Sequence, residues 1–346
     1  MRAVSFGWIR STSRPPDESG VPRAVRRITS SRWLRLGFGI LALALLLYAI
    51  VDQWHNVGPK LGDLTVPGVA LSGLAMLIGM VAMLKTWQVT MAGLGSPLRT
   101  VQAGRIYYLG QLGKYVPGSV WPMVVQTELG ADVGVPRSSS VVAVLFYYLL
   151  FTTSSALVSA VCLPWVTHLV PIWLAVLALV VGVVLMAPPV VNRLVAIGMK
   201  VLRKPSRPQL TLRPILVSFG WALVMWACFG THILLLVHTL GHDFSWHLAL
   251  LCVGGYTLAW VCGFLFILAP AGGGIRELLI TALLAGTIGH DTAFTVAIVS
   301  RLMVTVGDLF WAFLAAVSLG PAKLRELRAR GERPEDAHPP AHSAVG

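Results

Sequence analysis

The chain has 346 residues, 56% of them hydrophobic and 12% charged, with a formal net charge of +13. Soluble domains carry about a quarter charged residues, so this composition excludes a soluble globular class and predicts an all-α, polytopic helical membrane protein. The positive balance does not indicate nucleic acid, because Lys and Arg collect in a few flanks and no basic stripe interleaves with exposed aromatics on a polar domain.

Residues 1–35 hold eight Arg against Asp17 and Glu18, with no apolar period, and read as a basic cytoplasmic tail able to touch anionic lipid. A first span is expected from Leu36 to about Val51, and the long basic tail before it favours an uncleaved anchor over a signal peptide. Asp52 to Thr65 suits an outside loop. Val66 to about Met91 is the second span, with Lys85 placed to snorkel toward the cytoplasmic interface.

The stretch Gly110 to Glu128, GQLGKYVPGSVWPMVVQTE, is too apolar for a soluble loop and too broken for an ordinary membrane helix. Pro removes a backbone donor and clashes with the preceding turn, so helix continuity is expected to fail near Pro117-Gly118. Freed backbone at membrane depth is tolerated where protein buries it or it lines a wet cavity, and Gly/Pro-interrupted segments mark transporter binding regions. Arg99, Arg105 and Arg137 bracket the stretch, so the positive-inside bias places both ends in the cytoplasm. Two full spans need about 40 apolar residues, which Arg105 to Gly134 does not supply, and a re-entrant hairpin fits.

Ser139 to Leu163 and Leu169 to Ala187 are the next two spans. The segment Pro188 to Arg213 holds six basic residues, including Arg193 and Lys200, and no acid; it reads as a cytoplasmic loop. Ile215 to Leu240 rises, Gly241 to Trp246 caps it outside, and His247 to Leu268 descends. A second break follows, with Pro270, Gly272, Gly273 and Gly274 before Arg276 and Glu277. Leu278 to Ile288 offers only about 16 Å of helix at 1.5 Å per residue, half the hydrocarbon thickness, and is expected to be a half-helix reaching the outside near Gly289. Thr292 to Leu319 closes a membrane domain of residues 36–320, and residues 321–346 are expected to be a disordered cytoplasmic tail. The expected total is about 7–8 transmembrane helices plus re-entrant half-helices.

Ionisable residues inside spans cost about 2.5–3.5 kcal/mol each on insertion scales, which singles out Arg276, Glu277, Arg301 and Asp308. Arg301 and Asp308 lie two turns apart on one helix face. These four are compatible with a paired network holding helices in register and with an anionic-headgroup site in which Arg276, Arg301 and the free amides of Gly272 to Gly274 meet a phosphate. Lys114, beside the first break, faces the same choice between phosphate and snorkelling. Tyr107, Tyr108, Tyr115 and Trp121 suit either an interfacial belt or a sugar-stacking wall. His232, His238 and His242 lack a nearby carboxylate other than Asp243, so no metal site is expected, and Cys162, Cys228, Cys252 and Cys262 lie in apolar segments as small hydrophobes. No phosphate-binding loop or dinucleotide fingerprint is present; neither enzyme activity nor a cofactor is expected.

At Gly113-Lys114-Tyr115-Val116-Pro117-Gly118-Ser119-Val120-Trp121 and Pro270-Ala271-Gly272-Gly273-Gly274-Ile275-Arg276-Glu277 the sequence resembles the lysylphosphatidylglycerol synthase transmembrane region, also called the flippase-like integral membrane family. The resemblance covers about residues 36–320, and Arg301 matches an Arg of the family's final helix. Departures are Gln126, where the family pattern has an Arg, and Phe146-Tyr147-Tyr148, where the next helix often carries a Glu. No aminoacyl-transferase domain is expected, so lysyl transfer is not implied. The resemblance implies a lipid or lipid-linked glycan translocase, with Lys114, Arg276 and Arg301 engaging an anionic phospholipid or a polyprenyl-phosphate-linked glycan. The alternative is a non-transporting scaffold that recruits a glycosyltransferase or envelope-synthesis enzyme through its basic segments. Either way the expected location is the inner or plasma membrane, with both termini cytoplasmic.

Overall fold

Apolar runs without interior Pro or Gly clusters become long helices, and the interrupted runs become short ones. The structure, a computed structural model, describes residues 62–115, 120–167, 171–201, 209–265 and 274–318. In chain order the helices are α1 (Val66–Gly93), α2 (Thr100–Gln111), a 3-10 turn (Leu112–Tyr115), α3 (Trp121–Ala131), α4 (Arg137–Cys162), α5 (Ile172–Leu185), α6 (Pro188–Val201), α7 (Leu212–Thr239), α8 (Trp246–Leu265), α9 (Ile275–Ile288) and α10 (His290–Val317). Among the described residues there is no strand. Five helices, α1, α4, α7, α8 and α10, are long and apolar enough to cross a membrane, or six if the bent pair α5 and α6 counts as one. The chain is an all-α polytopic membrane protein. The expected first span, Leu36 to Val51, lies outside the described residues.

Helices in lipid gain little from excluding water and associate through close packing, which small residues permit. The pair α1 and α7 shows this along its whole length. Gly68 lies against Thr239, Gly79 against Cys228 and Phe229, and Gly93 against Pro214, the reverse order that an antiparallel pair requires. A Cβ at Gly79 would sit 3.2 Å from Cys228 Cβ, and one at Gly93 would sit 2.7 Å from Pro214 Cβ. The interior between α1, α2, α4 and α7 is filled by Trp87, Tyr107, Phe146, Phe151 and Trp226, all fully buried. In contrast, α5 exposes Val176, Leu177, Val180, Val181, Val183 and Val184, a surface suited to acyl chains.

The opening stretch folds as a hairpin of short helices. Gly110 lies against Gln126, and Gly113 against Trp121 and Pro122, so α2 and α3 run antiparallel. At 12 and 11 residues they extend about 18 Å and 16 Å, each well short of a membrane core. The junction, with Pro117 and Gly118, lies outside the described residues.

Two expectations need correction. The basic segment from Pro188 is not a loop throughout: Pro188–Val201 is helical, because Val191, Val195 and Met199 recur at helical spacing and are buried, a stripe that the surrounding charges obscure. The expected span Leu169 to Ala187 shortens to Ile172–Leu185, 14 residues, before the chain turns by 78° into α6. Pro188 disfavours helical geometry in the residue before it and restarts a helix in its own first turn.

Candidate functional site: a charge cluster on the last helix

α10 is the post on which both interrupted elements lean. α2 and its 3-10 turn run antiparallel to its C-terminal half: Arg105 Nε donates to Ser318 Oγ at 2.8 Å, Tyr108 stacks on Trp311 with centroids 5.0 Å apart, and the turn ends at Asp308. There Asp308 Oδ2 accepts from Lys114 Nζ at 2.6 Å and from Tyr115 OH at 2.6 Å.

From the other side comes α9. Gly274, with φ of 86°, has the left-handed conformation that glycine tolerates best, and its N–H donates to Glu277 Oε2 at 2.6 Å. This is half of a capping box, since a glycine has no side chain to return the bond. Gly289, with φ of 81°, then turns the chain directly into α10, so α9 lies along the N-terminal half of that helix. Glu277 Oε1 is 3.6 Å from Arg301 Nε, with the two side chains 11% and 13% exposed. Glu277 therefore does two jobs with its two oxygens.

Arg276 is bound differently. Its Nη2 donates to Tyr256 OH at 2.9 Å, and its guanidinium lies 5.5 Å from the Tyr256 ring centroid and 5.8 Å from that of Trp260, within cation–π range. Tyr256 and Trp260 are one turn apart on α8 and share a face. Among the described residues no carboxylate pairs with Arg276. Lys114, Arg276 and Arg301 lie within electrostatic range of one another. The cluster thus sets three cations against two carboxylates, Glu277 and Asp308, and Arg276 carries the excess charge.

The structure brings together six of the residues singled out in the sequence: the charged Lys114, Arg276, Glu277, Arg301 and Asp308, and Tyr115, whose hydroxyl is held by Asp308. Pairing is crosswise, Lys114 with Asp308 and Glu277 with Arg301. Of the glycines and prolines at the breaks, Gly274 takes its place at the start of α9, while Pro117, Gly118, Pro270, Gly272 and Gly273 lie outside the described residues. Tyr107 and Tyr108 form no interfacial belt: both are buried, Tyr107 OH sharing a 2.7 Å hydrogen bond with Tyr147 OH and Tyr108 OH donating to Met80 O at 3.3 Å. His232 is a buried polar junction of three spans, its ring 2.6 Å from Ser72 Oγ and 2.9 Å from Ser300 Oγ, and no cluster of potential metal ligands occurs among the described residues. Sequence reasoning missed Tyr256 and Trp260. The signal was a hydroxyl and an indole four apart within an apolar span.

The family model described as the lysylphosphatidylglycerol synthase TM region matches residues 32–312. The chain belongs to that family. Membership places it among membrane proteins of lipid and envelope handling, and the match takes in every residue of the charge cluster. A comparison with curated proteins returned no match. At Gln126, a departure from the family pattern, a buried neutral side chain closes the α2–α3 hairpin against Gly110. At the other, Tyr147 makes the bond to Tyr107.

Proposed function

We propose that the chain is a translocase for a lipid or lipid-linked glycan with an anionic headgroup, and that it carries out no covalent chemistry. The observation that carries this reading is Arg276, the one cation of the cluster held by neutral partners. A guanidinium on a tyrosine hydroxyl and two aromatic faces keeps its charge and several donors available to a phosphate, which it can hold bidentately. The start of α9 adds the positive end of a helix dipole beside it. Lys114 and Arg301, already paired, are the second rank: a phosphate can draw on their charge while Asp308 and Glu277 keep the empty site close to neutral. The substrate partners are an anionic phospholipid or a polyprenyl-phosphate-linked glycan, and the membrane is the inner or plasma membrane.

The test is translocation by the full chain in vesicles containing fluorescent phosphatidylglycerol or fluorescent polyprenyl phosphate, read as protection from an external quenching reductant. Wild-type protein should expose one of the two probes, and Arg276→Gln should slow that exchange at least about tenfold, the equivalent of about 1.4 kcal/mol, at unchanged abundance. Equal rates for wild type and protein-free vesicles with both probes would remove the proposal.

A further inference from the structure

The helix α6 presents three distinct faces. Val191, Val195 and Met199 are buried against the bundle, where Gly198 lies close to Leu145 of α4, and Asn192 fixes the helix to the chain before α7 through Nδ2 to Leu210 O at 3.0 Å and Leu210 N to Oδ1 at 2.9 Å. Turned about a third of a revolution from that stripe at 3.6 residues per turn, Leu194, Ile197 and Val201 are 37%, 53% and 76% exposed. Roughly opposite the buried stripe, and beside the exposed apolar one, project Arg193 and Lys200, seven residues apart and therefore on one line, both exposed and without a carboxylate partner among the described residues. A solvated surface helix has no use for an exposed apolar flank beside its buried one, and a membrane-spanning helix does not place two unpaired cations along its side.

We infer that α6 is an interfacial helix that binds anionic phospholipid headgroups through Arg193 and Lys200, with Leu194, Ile197 and Val201 seated among the upper acyl segments. The 78° turn from α5 supplies the geometry. If α5, whose exposed valines and leucines face lipid, runs along the membrane normal, α6 lies nearly in the membrane plane, where amphipathic helices with basic polar faces reside. The occupant is fixed by charge: two unpaired cations above an acyl-facing stripe match a lipid that carries its negative charge directly above its chains. This site is separate from the Arg276 cluster, and its test does not depend on translocation.

The full chain in nanodiscs of equal phosphatidylcholine and phosphatidylglycerol, released for native mass spectrometry, should retain phosphatidylglycerol in preference. Arg193→Gln with Lys200→Gln should lower the ratio of retained phosphatidylglycerol to phosphatidylcholine by about fivefold for each charge removed, whereas Arg137→Gln, which removes an exposed cation paired with Glu128, should leave it unchanged. All three positions are exposed, so folding is not at stake. A ratio indifferent to the double change overturns the assignment. A fluorophore at Ile197→Cys, in a background lacking the four native cysteines, gives the second reading. Quenching by lipids spin-labelled high on the chain is expected, and quenching by aqueous iodide instead would mean that this face meets water or an acidic protein and not lipid.

Discussion

Within the cluster Lys114 and Arg301 are paired with carboxylates and Arg276 with neutral groups, so the same substitution has different consequences at Arg276 and at Arg301. Arg276→Gln removes a charge from a tyrosine hydroxyl and two aromatic rings, leaving only neutral groups behind; the loss of a cation–π contact is about 0.5–2 kcal/mol, and abundance of the folded protein in membranes should hold. Arg301→Gln leaves Glu277 buried without its counter-ion, a change of about 3–5 kcal/mol, and abundance should fall sharply. Adding Glu277→Gln to that variant removes the orphaned charge while its amide oxygen can still accept from Gly274 N–H. The double variant should therefore recover most of the lost abundance, as read by fluorescence size-exclusion of the solubilised protein. If Arg276→Gln falls as far as Arg301→Gln, Arg276 is a structural charge and the headgroup role passes to Lys114. The charged members were legible in the sequence because ionisable residues stand out against an apolar run. Their pairing was not, because Lys114 and Asp308 are 194 positions apart in the chain and only the way α2 lies along α10 brings them together.

At the level of elements, the sequence revealed where helices stop more readily than what the short pieces do. Pro and Gly punctuated the first stretch, and the hairpin formed by α2 and α3 follows from it. Its close approach rests on Gly110, where a Cβ meets the Gln126 side chain. Gly110→Leu should force the two short helices apart at a cost of about 1–3 kcal/mol, the usual range for overpacking, and expose Gln126, now buried. Labelling of Gln126→Cys by a membrane-permeant thiol reagent should accelerate in the Gly110→Leu background and stay slow in the parent. α6 was illegible for a complementary reason. The basic residues that mark a cytoplasmic segment also interrupt its apolar stripe, so charge density hid a helix whose inward face is only three residues wide. The short α5 was overestimated because apolar residues continue past the point where Pro188 redirects the chain.

Across the whole molecule, the contacts sort the charges by end. Gly93 against Pro214, Asn192 against Leu210 and Arg105 against Ser318 gather Arg99, Arg105, Arg193, Lys200 and Arg213 at one end of the bundle. The opposite end, where Gly68 meets Thr239, has Asp63 and Asp243 instead. The antiparallel order of α1 and α7 and of α2 and α10 is independent of charge, and a fold with these contacts cannot put Arg105 and Asp243 on the same side. On the positive-inside bias the basic end is expected in the cytoplasm, and the sequence outside the described residues adds eight Lys and Arg before position 36 and five after position 320. In a variant without native cysteines, Asp243→Cys should react in intact cells with a membrane-impermeant maleimide, and Lys200→Cys should react only after permeabilisation. Both residues are exposed, so a difference reports sidedness and not burial. Labelling of position 200 in intact cells would invert the molecule, place the Arg193 and Lys200 line against the outer leaflet, and require a translocase reading in which the α2–α3 hairpin opens to the outside.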